Sequence, residues 1–200
     1  MILVLDFDGV VQTGHAEGGR WDKHLLRDLG IAPHALQEFF FKPFWRGLLV
    51  GDGDLYEVLS KMWQKLACEA TPRAFIEYWF SKDWTLNREL LDAVARLRVV
   101  GHSVSLATNQ EHHRARYLWD VRRLSNHFDA MNYSAALGAM KPELAFFDRA
   151  RERLPVTAAH QIVFLDDSQE YVDGASVAGW NARLYRGIED LNATIAEMAG

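Results

Sequence analysis

Residues 1–12 read MILVLDFDGVVQ. Four apolar residues, 2–5, run without a polar break, and two aspartates then fall two positions apart. A run that is apolar on both faces marks a strand buried within a parallel sheet. Strand side chains alternate, so Asp6 and Asp8 face the same way and Phe7 turns back into packing. Two carboxylates on one side of a strand end repel each other, and a divalent cation relieves that repulsion. Gly9 then lets the chain turn and lets a ligand approach the backbone. Taken alone, the stretch fits an ordinary acidic turn equally well.

The same pattern recurs downstream. Residues 103–107 and 162–165 are short apolar runs, with weaker ones at 130–133 and 182–185. Helical periodicity separates them. Residues 89–100 carry Leu90, Leu91, Val94, Leu97 and Val100 and stop at Gly101, a C-cap signal. Further helices are predicted at 112–124, at 142–154 with Pro142 in the first turn, at 169–178 behind Ser168 as N-cap, and at 188–198. Strands alternating with helices give an α/β fold: a doubly wound, parallel-sheet, Rossmann-like core. Residues 13–87 break the alternation, with helices predicted at 21–29, 33–41, 54–67 and 72–80. The expected organisation is a core of residues 1–12 and 88–200 and an inserted α-helical cap subdomain of residues 13–87. An insert leaving the carboxyl end of the first strand sits above the place where such sheets bind ligands.

Composition narrows the function classes. A chain of 200 residues with 49% hydrophobic content can bury one full core and a small subdomain. The formal net charge is −5 and no basic block appears, so no nucleic-acid partner is expected. The basic stretch 114–123 is interrupted by Tyr117, Leu118, Trp119 and Asp120 and reads as one face of an amphipathic helix. Cys68 is the only cysteine; it fits a reducing compartment and inert packing. No run is long enough to span a bilayer, and Asp6 arrives before any signal-like apolar region. A cytoplasmic protein with no membrane partner is expected.

Three more strand ends and loops carry chemistry. The second strand ends in Thr108 and Asn109, a hydroxyl and free N–H groups at a strand–helix junction that suit a phosphate oxygen or, equally, a helix cap. Lys141 precedes Pro142 at a predicted helix start, where the helix dipole disfavours a cation, so an anionic partner is expected. The strand at 162–165 ends in Asp166, Asp167 and Ser168, a second acidic pair of the oxygen donors that Mg²⁺ takes.

The ordered set DFDGV (6–10), LATN (106–109), KPE (141–143) and FLDDS (164–168) resembles the haloacid dehalogenase-like superfamily, in its phosphatase branch with a small helical cap. The resemblance spans nearly the whole chain. It implies Asp6 as a nucleophile that forms an aspartyl-phosphate, and Asp8 as the group that protonates the leaving group and then activates water. It implies Thr108 and Lys141, with Asn109 beside them, as phosphate-binding residues. It implies Mg²⁺ held by Asp6, the Asp8 carbonyl and Asp167, with Asp166 acting through water. Members that cleave carbon–halogen bonds resemble this pattern but lack the second Asp, so Asp8 points to phosphoester chemistry. Elementary chemistry agrees: an Asp carboxylate is a competent covalent nucleophile, and a lysine and a metal neutralise the transferred group.

The expected activity is a Mg-dependent phosphoric monoester hydrolase acting on a small phosphorylated metabolite. A phosphomutase of the same superfamily is the alternative. A receiver-like signalling module fits less well, because there the acidic pair comes first. In the cap, Arg20, Trp21, Trp45 and Arg46 are candidate substrate contacts, each set near a predicted loop. The remaining aromatic mass, including Phe39, Phe40, Phe41, Phe44, Trp63, Trp79, Phe80 and Trp84, is assigned to the cap's own core. His112 and His113 are adjacent and do not share a helix face, which argues against a two-histidine metal site.

Overall fold

The apolar run after Met1 forms the central strand of a five-stranded sheet. The structure is a computed structural model that describes residues 1–14, 20–83, 85–156 and 158–199; Trp84 lies outside the described residues. The strands are β1 (Ile2–Leu5), β2 (Val104–Thr108), β3 (Ala130–Tyr133), β4 (Ile162–Asp166) and β5 (Asn181–Leu184). They pair in the order β3-β2-β1-β4-β5, and every pair is parallel.

All four residues of β1 are buried, and alternation splits them between two cores. Leu3 and Leu5 face Leu106, Val163 and Leu165 together with Leu90, Val94 and Leu97. Ile2 and Val4 face Ile162 and Phe164 together with Phe146, Phe147 and Trp180. Helices therefore cover both faces, and covered faces on both sides are why the inner strands β1 and β4 run apolar without alternation, whereas the edge strand β5, with Asn181 and Arg183, is only partly buried.

The chain runs β1 to β2 to β3 in one direction, then returns to place β4 on the far side of β1. The order reverses between β1 and β4, and the crevice beyond the carboxyl ends at such a reversal is where open α/β sheets bind ligands. Leu5 lies opposite Leu106 on one side and Leu165 on the other, so the residues after β1, β2 and β4 meet at one edge.

Helices α1 (Leu25–Leu29), α2 (Pro33–Leu36), α3 (Lys42–Leu49), α4 (Leu55–Met62) and α5 (Pro72–Lys82) precede β2. They share their own apolar cluster, with Leu25, Phe40, Leu59, Met62, Phe75 and Trp79 at its centre. Asp54 caps α4 by accepting from the Tyr56 and Glu57 N–H groups, and Thr71 caps α5. The chain leaves and re-enters the core through a short antiparallel neck. There Thr13 N–H donates to the Thr85 carbonyl at 2.9 Å, and Asn87 N–H donates to the Val11 carbonyl at 2.9 Å.

Helix α3 was not expected. A π-helical turn at Gln37–Phe41 joins α2 to α3, and widening the ladder there absorbs Pro43, which lacks an N–H and cannot enter an unbroken α-helix. Trp45 and Arg46 consequently lie within a helix, not near a loop.

The remaining helices are α6 (Arg88–Val99), α7 (His112–Arg116), α8 (Ser134–Leu137), α9 (Leu144–Glu152), α10 (Gln169–Val177) and α11 (Ile188–Ala199). Helix α9 starts at Leu144, with Glu143 at its N-cap. Lys141 and Pro142 thus stand ahead of the helix, and the reading of Lys141 at a helix dipole is corrected. Ser168 precedes α10 as expected, but its side chain makes no capping bond.

Candidate active site

The carboxyl edge of the sheet gathers the strand-end residues. Asp6 follows β1 directly, and its N–H donates to the Leu165 carbonyl at 2.9 Å. Thr108 ends β2 and Asp166 ends β4; both are buried.

Lys141 reaches this edge from the loop before α9. The Asn109 side chain holds that loop in place. Its Oδ1 accepts from the Lys141 N–H at 2.8 Å, and its Nδ2 donates to the Lys141 carbonyl at 3.1 Å. On the other side, α10 comes so close that a Cβ on Gly174 would lie 2.6 Å from the Pro142 carbonyl oxygen. Lys141 is only 1% exposed. Its Nζ lies 2.8 Å from Asp6 Oδ1 and 2.5 Å from Asp166 Oδ2, and 4.7 Å from the centre of the Tyr171 ring.

Asp166 is fully committed, since its other oxygen accepts from the Ser168 N–H at 2.9 Å. Asp167 is exposed, and its carboxylate lies over Gly9. A Cβ at Gly9, whose φ is +88°, would fall 2.1 Å from Asp167 Oδ2. Carboxylate oxygens of Asp6, Asp166 and Asp167 all lie within 4.8 Å of one another.

One ammonium serves two buried carboxylates. Burial pulls the Lys141 ammonium down, but Asp6 and Asp166 outweigh it and hold the lysine charged. Burial pushes the Asp6 carboxyl up to about 7 against the pull of Lys141, and Asp166 and Asp8 add to the rise. Asp167 is also pushed up, by burial and by the Asp166 charge.

Asp8 reaches Gln110 and Arg114, before and within α7. Its Oδ2 accepts from Gln110 Nε2 at 2.5 Å, and its Oδ1 accepts from Arg114 Nη2 at 3.1 Å. The acidic pair at the end of β1 is therefore eased by two different cations, Lys141 for Asp6 and Arg114 for Asp8. Arg114, in the stretch read as one face of an amphipathic helix, is buried at 5% exposure. It also pairs with Asp83, Nη1 to Oδ2, at 2.9 Å. Gln110 lies in the loop between β2 and α7, and Arg114 lies in the first turns of α7, so the two donors to Asp8 come from adjoining segments just after LATN.

The cap candidates are placed as follows. Arg20 is exposed and paired with Asp22 at 3.0 Å. Trp21 stacks on Trp79 at 5.4 Å, and Trp45 packs against Trp79 at the same centroid distance, so both rings belong to the cap's aromatic cluster. Arg46 crosses to the core, with Nη2 2.7 Å from Glu143 Oε1 and Nη1 3.7 Å from Met140 Sδ. It stands over the loop that carries Lys141. His113 Nε2 lies 2.6 Å from Asp54 Oδ2, another cap–core contact, and His112 Nδ1 lies 3.3 Å from the Tyr133 hydroxyl.

No protein-family model matches the sequence, and no curated protein matches it. Solved structures do. The HAD-family enzyme BT-2542 of Bacteroides thetaiotaomicron, in complex with magnesium and inorganic phosphate, matches with a TM-score of 0.77 at 16% identity, over 92% of this chain and 93% of that one. A predicted HAD-like family hydrolase from Porphyromonas gingivalis matches with a TM-score of 0.75 at 18% identity, over 98% of both chains. The L-2-haloacid dehalogenase of Xanthobacter autotrophicus, with chloropropionic acid covalently bound, matches with a TM-score of 0.62 at 18% identity, over 91% of this chain and 76% of that one. The fold is that of the haloacid dehalogenase-like enzymes, a five-stranded parallel α/β core with helices on both faces. No helix among the described residues is long and apolar enough to cross a membrane.

Proposed function

We propose that this chain is a magnesium-dependent phosphatase that hydrolyses a small phosphorylated metabolite through an aspartyl-phosphate on Asp6. The observation that carries the reading is the meeting of Asp6, Asp166 and Asp167 oxygens within 4.8 Å at the end of β1 and β4. An all-oxygen, carboxylate-rich set suits a hard cation such as Mg²⁺, which takes one or two carboxylates and completes its shell with water and phosphate. Asp6 and Asp167 have oxygens to offer, and the Asp8 carbonyl is the third donor. Asp166 has both oxygens occupied by Lys141 and Ser168, which suits a role through water. When bound, the cation would screen the carboxylates from the substrate's charge and orient both. The magnesium and phosphate bound to BT-2542 are consistent with this chemistry.

Asp8 favours a phosphoester over a carbon–halogen bond, because the resemblance implies that dehalogenating members lack it. In the proposed reaction a carboxylate oxygen of Asp6 bonds to phosphorus. The ester P–O bond breaks, its electron pair stays on the leaving oxygen, and that oxygen takes a proton from Asp8. Asp8 then accepts a proton from water, the water oxygen bonds to phosphorus, and the bond to Asp6 breaks to release phosphate. Thr108 and Lys141 hold the equatorial oxygens. The Asn109 side chain is occupied by Lys141, so its backbone N–H is the group left for phosphate.

The test is hydrolysis of para-nitrophenyl phosphate with and without Mg²⁺, in the wild type and in Asp6→Asn. Turnover that needs the metal and vanishes in the variant is expected. Full activity of Asp6→Asn at matched purity would sink the mechanism.

A further inference from the structure

The geometry points to Arg114 as a positioning residue that ties Asp8 to the cap's return neck, so that one guanidinium sets where the proton-delivering carboxylate stands. Arg114 touches no reacting atom in the proposed reaction and acts through Asp8. The inference rests on the phosphatase reading of Asp8.

Arg114 has three acceptors on two segments far apart in sequence. Its Nη2 donates to Asp8 Oδ1 at 3.1 Å and to the Asp83 carbonyl at 3.2 Å. Its Nη1 lies 2.9 Å from Asp83 Oδ2. The planar fork makes this bridging possible; a lysine's single ammonium cannot reproduce it. Asp83 is the C-cap of α5, the last cap helix before the chain re-enters the core. It also accepts from Gln12 Nε2 at 3.3 Å, and Gln12 bridges Leu86 in the neck. Arg114 itself is fixed from below, because Glu111 caps α7 by accepting from the Arg114 and His113 N–H groups. The guanidinium is therefore anchored in the core and grips the cap's exit with the same plane that holds Asp8. A displacement of Asp83 would be carried through Arg114 to Asp8. The second donor on Asp8, Gln110 Nε2, comes from the loop just ahead of α7 and resists that displacement from the core side.

This arrangement predicts a selective defect. Proton delivery matters little for a good leaving group and greatly for a poor one. The experiment uses the full chain with Mg²⁺ and two esters, para-nitrophenyl phosphate and phenyl phosphate, in Arg114→Ala, Arg114→Lys and Asp83→Asn. For Arg114→Ala, kcat/KM, which covers the steps up to departure of the leaving group and not the later attack of water that Asp8 also serves, is expected to fall about tenfold on para-nitrophenyl phosphate and about a hundredfold on phenyl phosphate. Arg114→Lys should recover part of the phenyl phosphate rate. Asp83→Asn should show the same bias with a smaller loss. A purely structural role would reduce both esters by the same factor, and that result would overturn the assignment. If Arg114→Ala does not fold, the ratio of the two rates in Arg114→Lys and Asp83→Asn decides in the same way. A wild type inactive on both esters would sink the phosphatase reading and this role with it. An unchanged ratio in active variants would sink the role alone.

Discussion

Lys141→Met offers the sharpest test of how the site is held together. Methionine matches the lysine stem in volume, so little cavity forms. What is lost is the ammonium 2.8 Å from Asp6 and 2.5 Å from Asp166. The two carboxylates left behind are 5% and 0% exposed. Removing one partner from a buried ionic group costs about 3–5 kcal/mol, because the remaining charge is neither solvated nor paired. The chain can escape part of that cost by protonating Asp6, whose carboxyl already stands at about 7 with the lysine present. A carboxyl raised above its unfolded value of 3.8 opposes folding as pH climbs between the two values, and the penalty is complete above the folded one. Without the lysine the folded value rises further. Relative to wild type, whose Asp6 is already largely protonated below about 7, the deficit widens only from there up to the variant's higher folded value, by about 1.4 kcal/mol per pH unit. Urea unfolding without metal should therefore show a smaller deficit near about pH 6 and a larger one near about pH 9. Asp6→Asn in the Lys141→Met background should restore most of the loss at the higher pH. A deficit identical at both pH values would refute the reasoning, since it would mean that lost packing, not stranded charge, dominates.

Three other outcomes are expected. Gly9→Ala places a Cβ against the Asp167 carboxylate at a φ of +88°; the backbone cost is about 1–2 kcal/mol. The displaced carboxylate should raise the Mg²⁺ needed for half-maximal activity about tenfold or more, and an unchanged metal requirement would remove Asp167 from the ligand set. Asn109→Ala deletes both side-chain bonds to the Lys141 backbone, about 1–2 kcal/mol of stability, and should weaken inhibition by inorganic phosphate because Lys141 is no longer held in register. Asp129 accepts from the Val104 N–H, Ser103 and Arg98 at the start of β2. Burial works against its charge, but these donors hold its carboxyl below the usual value. Asp129→Asn should cost about 1 kcal/mol after solvent screening, with the difference from wild type full above about pH 4 and shrinking as pH falls through the folded value; a difference that grows in acid would contradict this.

The three inner strands, β1, β2 and β4, were legible because each is covered on both faces and buried throughout; the edge strands β3 and β5 are only partly buried and carry Asn132, Asn181 and Arg183, so their apolar runs were weaker. The four strand-end and loop motifs were legible for a related reason: polar residues that end apolar strands converge wherever the sheet is parallel. Helix α3 was hidden because Pro43 and Gly47 read as breakers, and only the preceding π-helical turn makes room for the proline. The place of Lys141 was misread because its backbone is fixed by Asn109, 32 residues away in sequence, and no local propensity records that contact. Arg114 was missed as a site residue for the same reason at greater range. Its partner Asp8 is 106 residues away, and a cation flanked by other basic residues looks solvated until the fold brings two carboxylates to it. Local patterns reveal elements and the acids that end them; which cation answers which acid is settled by tertiary contact.

The charge balance of the site gives that pairing its functional weight. Five carboxylates, Asp6, Asp8, Asp83, Asp166 and Asp167, surround two cations, Lys141 and Arg114. Fully ionised, they carry a formal excess of three negative charges, and the Asp166 and Asp8 charges add to the rise that burial imposes on Asp6. A phosphate dianion brought to such an edge meets repulsion before it meets Lys141, whose charge is already divided between Asp6 and Asp166. A divalent cation among Asp6, Asp167 and the Asp8 carbonyl would reverse the balance where the phosphorus must sit, and would free part of the Lys141 charge for the incoming oxygens. In the proposed reaction the order of binding follows from electrostatics, cation first and phosphate second. The buried lysine lets the fold tolerate its acids, and in the proposed reaction it would be the group that a bound cation frees for phosphate.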